Sequence, residues 1–230
     1  MTFLNKLSLT TLAAALVAAP ALQADVIFED GFDDATGSFG TGLNPVDGEA
    51  YDFFGAGPNF FIQVEEATSF EGFGPTATTP PNFASINADA GNVAGFFIST
   101  GDAAAAGTYT LSFDQLPAVF GPNTYTGTIT GELYASDDAG FFTGAPFLTV
   151  TSTGPARGSL DSATGTAILT EALPGNVFVR IRTEGDFTDA DNFQQGQVDT
   201  ISVDFAPIPE PASALLLGAG AALMGLRRRG

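Results

Sequence analysis

The sequence predicts an all-β chain: a single antiparallel β-sandwich of jelly-roll type, flanked by an N-terminal signal helix and a short C-terminal transmembrane helix. Three observations lead there. Apolar residues recur with period 2 through the middle of the chain, and no helical periodicity of useful length occurs between Asp25 and Ala206. Clusters of Gly, Pro, Asn and Asp, which favour turns, separate those runs. Both ends break the pattern with short apolar stretches flanked by basic residues.

The alternation is clearest at Tyr109, Leu111 and Phe113, at Ile129 and Leu133, at Val177, Val179 and Ile181, and at Ile201, Val203 and Phe205. Asp25–Glu29, Asn59–Glu65, Phe83–Asn87, Val93–Thr100, Phe147–Thr153 and Gly165–Thr170 are further strand candidates. About ten short strands at such spacing suit a sandwich, whose two faces require one apolar and one polar side per strand. The turns between them include Gly55–Pro58, Gly121–Asn123, Asp137–Gly140 and Leu173–Asn176. Asp102–Gly107 is a short low-complexity loop.

At the N-terminus, Lys6 precedes an apolar run from Leu7 to about Ala19, followed by small residues ending in Ala24. That order is a secretory signal peptide, with cleavage expected after Ala24 and Ala21 as the alternative. At the C-terminus, Pro207, Pro209 and Pro211 stop any regular element, because proline lacks the backbone N–H that a strand or helix needs. The uncharged segment Ala212–Leu226 then leads to Arg227, Arg228 and Arg229. As a helix it spans roughly 22 Å, short of a hydrocarbon core of about 30 Å. The arginines hold its end on the cytoplasmic side. The expected organisation is a signal peptide at 1–24, an ectodomain at 25–206 and a sorting tail at 207–230.

The chain has 26 acidic and 7 basic residues, a net charge of −19. Between Asp25 and Ala206 there are 25 acidic residues against Arg157, Arg180 and Arg182, a net of −22. Such a surface repels nucleic acid, whose binding needs clustered Lys and Arg. It favours solubility and attracts divalent cations. The chain has no Cys and no His. Cysteine nucleophiles, Ser-His-Asp triads and Cys/His zinc sites are therefore excluded, and carboxylate chemistry and oxygen-ligated metals remain.

The tail Pro209-Glu210-Pro211, the apolar Ala212–Leu226 and the cluster Arg227–Arg229 resemble the PEP-CTERM sorting signal of Gram-negative bacteria. The resemblance covers about the last 24 residues. It implies recognition by an exosortase-type membrane transpeptidase, with the C-terminal helix in the membrane before processing. It also implies a cell that makes exopolysaccharide. The ectodomain, which opens on Val-Ile-Phe28-Glu-Asp-Gly-Phe32 and closes just before Pro207, is loosely similar in layout to the jelly-roll ectodomains and carbohydrate-binding-like modules of such proteins.

Within the ectodomain, Asp186, Asp189, Asp191 and Asn192 fall in one short segment. Calcium takes about six to eight oxygen ligands in adaptable geometry, and alternate loop carboxylates supply several. This segment is the first candidate calcium site, ahead of Asn87–Asn92 and Glu29–Asp34. None has the EF-hand spacing, and Asp and Asn are equally good turn residues. The pairs Phe53-Phe54, Phe60-Phe61, Phe96-Phe97 and Phe141-Phe142 interest carbohydrate binding, since neighbours in a strand face opposite sides. Burial explains them equally well. For a glycosidase, Glu65, Glu66 or Glu132 can be nominated, but nothing in the sequence singles them out. The sequence reading is thus an exported, non-catalytic surface or matrix protein associated with exopolysaccharide, with a calcium-assisted carbohydrate-binding module as the alternative.

Overall fold

A computed structural model of the chain describes residues 23–32, 51–55, 61–66, 82–88, 91–116, 125–126, 128–137, 144–153, 161–184 and 194–208. The signal and tail helices, the Asp186–Asn192 segment, Phe60, Phe141 and Phe142 lie outside the described residues.

Period-2 sequences became strands because alternation gives each strand one apolar face to bury. In chain order they are β1 Asp25–Asp30, β2 Asp52–Phe54, β3 Phe61–Glu66, β4 Asn82–Ala88, β5 Val93–Ala103 and β6 Gly107–Leu116. The second half supplies β7 Tyr125–Thr126, β8 Ile129–Ser136, β9 Leu148–Ser152, β10 Asp161–Leu169, β11 Asn176–Glu184 and β12 Gln194–Pro207. All ten expected strands are present with shifted ends. β10 starts four residues before the predicted Gly165, because Asp161–Thr164 pair with Ser112–Gln115 of β6. β12 starts seven residues early, since Gln194–Val198 find a partner in Ala84–Ala88. The pairs β2 and β7 are too short to show a period.

The strands form two sheets. One runs β10-β6-β12-β4-β3, with β1 and β7 also on β12, and the other runs β2-β5-β11-β8-β9. Pairing is antiparallel throughout the described registers except between β12 and β7. The fold class is the all-β antiparallel sandwich that the alternation predicts. β12 pairs with β4 through Gln194–Val198 and with β1 through Ile201–Phe205. Between those stretches Thr200 takes a left-handed φ of 44°. Asp199 holds this kink, its Oδ1 accepting the Thr200 N–H at 2.7 Å.

The core lies between the sheets. Tyr109, Leu111 and Phe113 of β6 meet Ile129 and Leu133 of β8 and Val177, Val179 and Ile181 of β11, all at most 1% exposed. Each such side chain contributes roughly 1.5–3 kcal/mol of transfer free energy. The Asp102–Gly107 stretch does more than connect. Ala104 is buried, its N–H donates to Gly175 O at 3.0 Å, and its O accepts from Leu173 N at 2.8 Å. Gly175 has φ 89°, and a Cβ there would lie 2.1 Å from the Ser136 carbonyl carbon. The predicted Leu173–Asn176 turn therefore requires glycine at that point. Asp25–Phe205 form one compact unit.

Candidate functional site

The five-stranded sheet turns one face to the core and the other away from it. Core residues Ala94, Phe96 and Ile98 on β5, and Val177, Val179 and Ile181 on β11, fix the alternation. The opposite face therefore carries Phe97 and Ser99, then Phe178, Arg180, Arg182 and Glu184, then Thr130, Glu132 and Tyr134 of β8. Register sets them in rows. Arg180 lies between Phe97 and Glu132, Phe178 between Ser99 and Tyr134, and Arg182 between Gly95 and Thr130. Phe54 of β2 sits opposite Gly95, where a Cβ would come within 2.8 Å of its ring. Glycine is what lets that ring lie down on the sheet.

These side chains form one connected cluster. Phe97, Tyr134 and Phe178 are buried together, with half-buried Phe54 packed against them. The Arg180 guanidinium stands 4.6 Å over the Tyr134 ring and 5.8 Å from the Phe54 ring. Arg180 Nε donates to Glu132 Oε2 at 2.6 Å, and its Nη2 donates to the Tyr134 hydroxyl. Arg182 Nε reaches the same Glu132 oxygen at 3.3 Å and also pairs with Glu184. Glu132 is 4% exposed, so its charge is stable there only because two guanidiniums replace lost water. Burial, reinforced by the Glu132 charge, pushes the Tyr134 phenol above its ordinary value, against the pull of Arg180 and Arg182.

Two of the ectodomain's three basic residues thus occupy one face of one strand, beside four aromatic rings. Three of those rings are covered, Phe97, Tyr134 and Phe178 being at most 8% exposed, so Phe54, Arg180 and Arg182 are the members of the cluster that reach solvent. Glu132, nominated from the sequence for hydrolysis, is committed to two arginines. Glu65 and Glu66 fall at the end of β3, at the margin of the other sheet.

Two of the four Phe pairs, Phe53-Phe54 and Phe96-Phe97, lie among the described residues and behave as alternation requires. Phe53 and Phe96 pack on the core, whereas Phe54 and Phe97 join the outer cluster. Phe97 is nevertheless only 8% exposed, because its neighbours cover it. The Asp and Asn clusters fare differently. Asp30 accepts the Phe32 N–H at 2.7 Å and the Tyr51 hydroxyl, so it braces a turn. Asn87 is buried within β4, and Gly91 turns with φ 72°. Among the described residues, no group of three or more acidic side chains is placed to hold a metal. The other sheet hides polar groups on its non-core face as well. Asn87 and Gln197 are fully buried there, and neither amide has a hydrogen-bond partner among the described residues.

Comparison with known proteins identifies the C-terminal element. The PEP-CTERM protein-sorting motif matches residues 207–229. It marks the chain as an exported protein, sorted to the cell surface and processed by an exosortase. No curated protein matches the chain. Among solved structures, a Stig cyclase from Fischerella sp. TAU in complex with an indole compound is similar at 14% identity. It covers 84% of this chain and 94% of that one, with a TM-score of 0.50. The tandem CBM22-1-CBM22-2 domain of Paenibacillus barcinonensis Xyn10C is similar at 14% identity, covering 83% and 52% of the two chains, again at 0.50. The CBM22-1 xylan-binding domain of that protein is 10% identical, covering 82% and 99%, at 0.49. The two likenesses at 0.50 show the jelly-roll sandwich fold.

Proposed function

We propose that this chain is an exported, non-catalytic cell-surface or matrix protein, delivered by its C-terminal signal and associated with exopolysaccharide. The observation that carries the reading is the sorting motif at residues 207–229. Pro209, Glu210 and Pro211 present the recognition sequence, the apolar segment holds it at the membrane, and Arg227–Arg229 anchor the cytoplasmic end. Upstream, residues 1–24 direct export and are removed after Ala24. Fractionating cells that express the wild type and a P209A/E210A/P211A variant tests the reading. The wild type is expected outside the cell and the variant in the membrane fraction; equal release of both overturns it.

A second reading is favoured by partly exposed Phe54, Arg180 and Arg182 on one face of the five-stranded sheet. The sandwich is then a carbohydrate-binding module for exopolysaccharide, assisted by calcium at Asp186, Asp189, Asp191 and Asn192. Binding to a polysaccharide array in millimolar calcium, repeated after EDTA, separates its parts. Loss with EDTA supports the metal, persistence keeps the module without it, and absence of binding in both conditions removes the module.

A further inference from the structure

The edges of the sandwich differ in charge. At one margin, β2 carries exposed Asp52 and β3 ends in Glu65 and Glu66. At the other margin, the edge strands are β9 and β10, which pack against each other. Leu148–Ser152 and Ser162–Leu169 contain no charged residue, in a chain of net charge −19. Asp161, the first residue of β10, and Asp114, opposite Ser162 on β6, are each engaged by a serine. Ser152 Oγ donates to Asp161 Oδ2 and Ser162 Oγ to Asp114 Oδ1, both at 2.5 Å.

β10 lacks the devices that protect a sheet edge. It pairs with β6 in unbroken register from Asp161 to Leu169 and, among the described residues, with no strand on its other side. It has no Pro, no Lys and no bulge, the usual guards against pairing with another chain. Ser162, Thr164, Thr166 and Ile168 are exposed, and Ile168, at 64%, is the most exposed large apolar residue described. Ala167 and Leu169, which face inward, are only partly buried, as expected where an edge is open.

We infer that the β10 edge is a self-association surface, on which a second copy of this chain pairs its own β10 antiparallel about a two-fold axis. Backbone N–H and C=O groups supply the attraction, as in any strand addition. Such an interface is isologous, so the same strand, charged only at Asp161, meets itself. The charge distribution selects the partner. Copies of a strongly acidic protein repel across most of their surfaces, and the β9/β10 margin, with Asp161 its one charged strand residue, is where that repulsion is weakest.

The inference is independent of how the protein is sorted and of any ligand. Sedimentation of the full chain, in mild detergent on account of its apolar tail, tests it over about 1 µM to 1 mM. The wild type is expected to shift from monomer to dimer across that series. Ile168→Glu places a charge from each copy at the paired edges and is expected to weaken the dimer at least tenfold. Val26→Glu makes the same exchange at another exposed apolar residue, 56% exposed, and is expected to leave the dimer unchanged. Circular dichroism confirms that both variants fold. A wild type that stays monomeric, a dimer indifferent to Ile168→Glu, or equal losses in both variants overturns the inference.

Discussion

Replacing Glu132 by Gln removes the charge on which the outer cluster of the five-stranded sheet converges. Glu132 is 4% exposed, while the Arg180 and Arg182 side chains are 22% and 19% exposed. Breaking a fully buried ion pair costs about 3–5 kcal/mol, because it strands a desolvated charge. Here the guanidiniums keep some water, and Arg182 retains Glu184, so about half of that applies, near 2 kcal/mol. For a domain of this size 1 kcal/mol moves the melting temperature by about 2–4 °C, which puts the expected fall at roughly 4–8 °C. Differential scanning calorimetry of Glu132→Gln, Arg180→Gln and the double variant measures it. The double variant should be more stable than the sum of the two losses implies, because no unpaired charge remains. A change within about 0.5 kcal/mol for Glu132→Gln, the range of ordinary surface substitutions, refutes the reasoning.

Gly175→Ala forces a Cβ against the Ser136 backbone at φ 89° and is expected to cost about 1–3 kcal/mol by thermal unfolding. Burial raises the Tyr109 and Tyr134 phenols above their ordinary value of 10.0. The stability this contributes is full below pH 10.0 and is lost as pH rises through the higher folded values, because only the unfolded chain ionises readily. Ultraviolet titration should show late phenolate steps, one of them absent in Tyr134→Phe. Phe54→Ala strips the half-buried ring beneath Arg180 and, under the module reading, weakens polysaccharide binding by about tenfold or more for about 1–3 kcal/mol of lost stacking. Unchanged binding on the array removes that ring from the site.

The sandwich was legible because alternation is a local signal. Tyr109, Leu111 and Phe113 announce their buried face without knowledge of their neighbours. The strand ends were not, because pairing decides them. Asp161–Thr164 fall outside the expected Gly165–Thr170 strand and join it only because β6 lies beside them. The outer cluster was half legible. Arg180 and Arg182 stand out as two of three ectodomain cations at alternate positions, and Glu132 and Tyr134 alternate in the same way. Which carboxylate meets which arginine depends on a register fixed by contacts 48 and 50 residues apart. The sorting tail was fully legible, because its chemistry is linear: a proline stop, an apolar run and a basic end, read in order at the terminus.

The central claim is that this chain is exported and processed at both ends, and the intact mass of the protein recovered outside the cell tests it most directly. The account predicts a species that begins at Asp25 and has lost Arg227–Arg229, and that disappears when the exosortase is deleted. A full-length chain outside the cell, or the same released species without the exosortase, contradicts it.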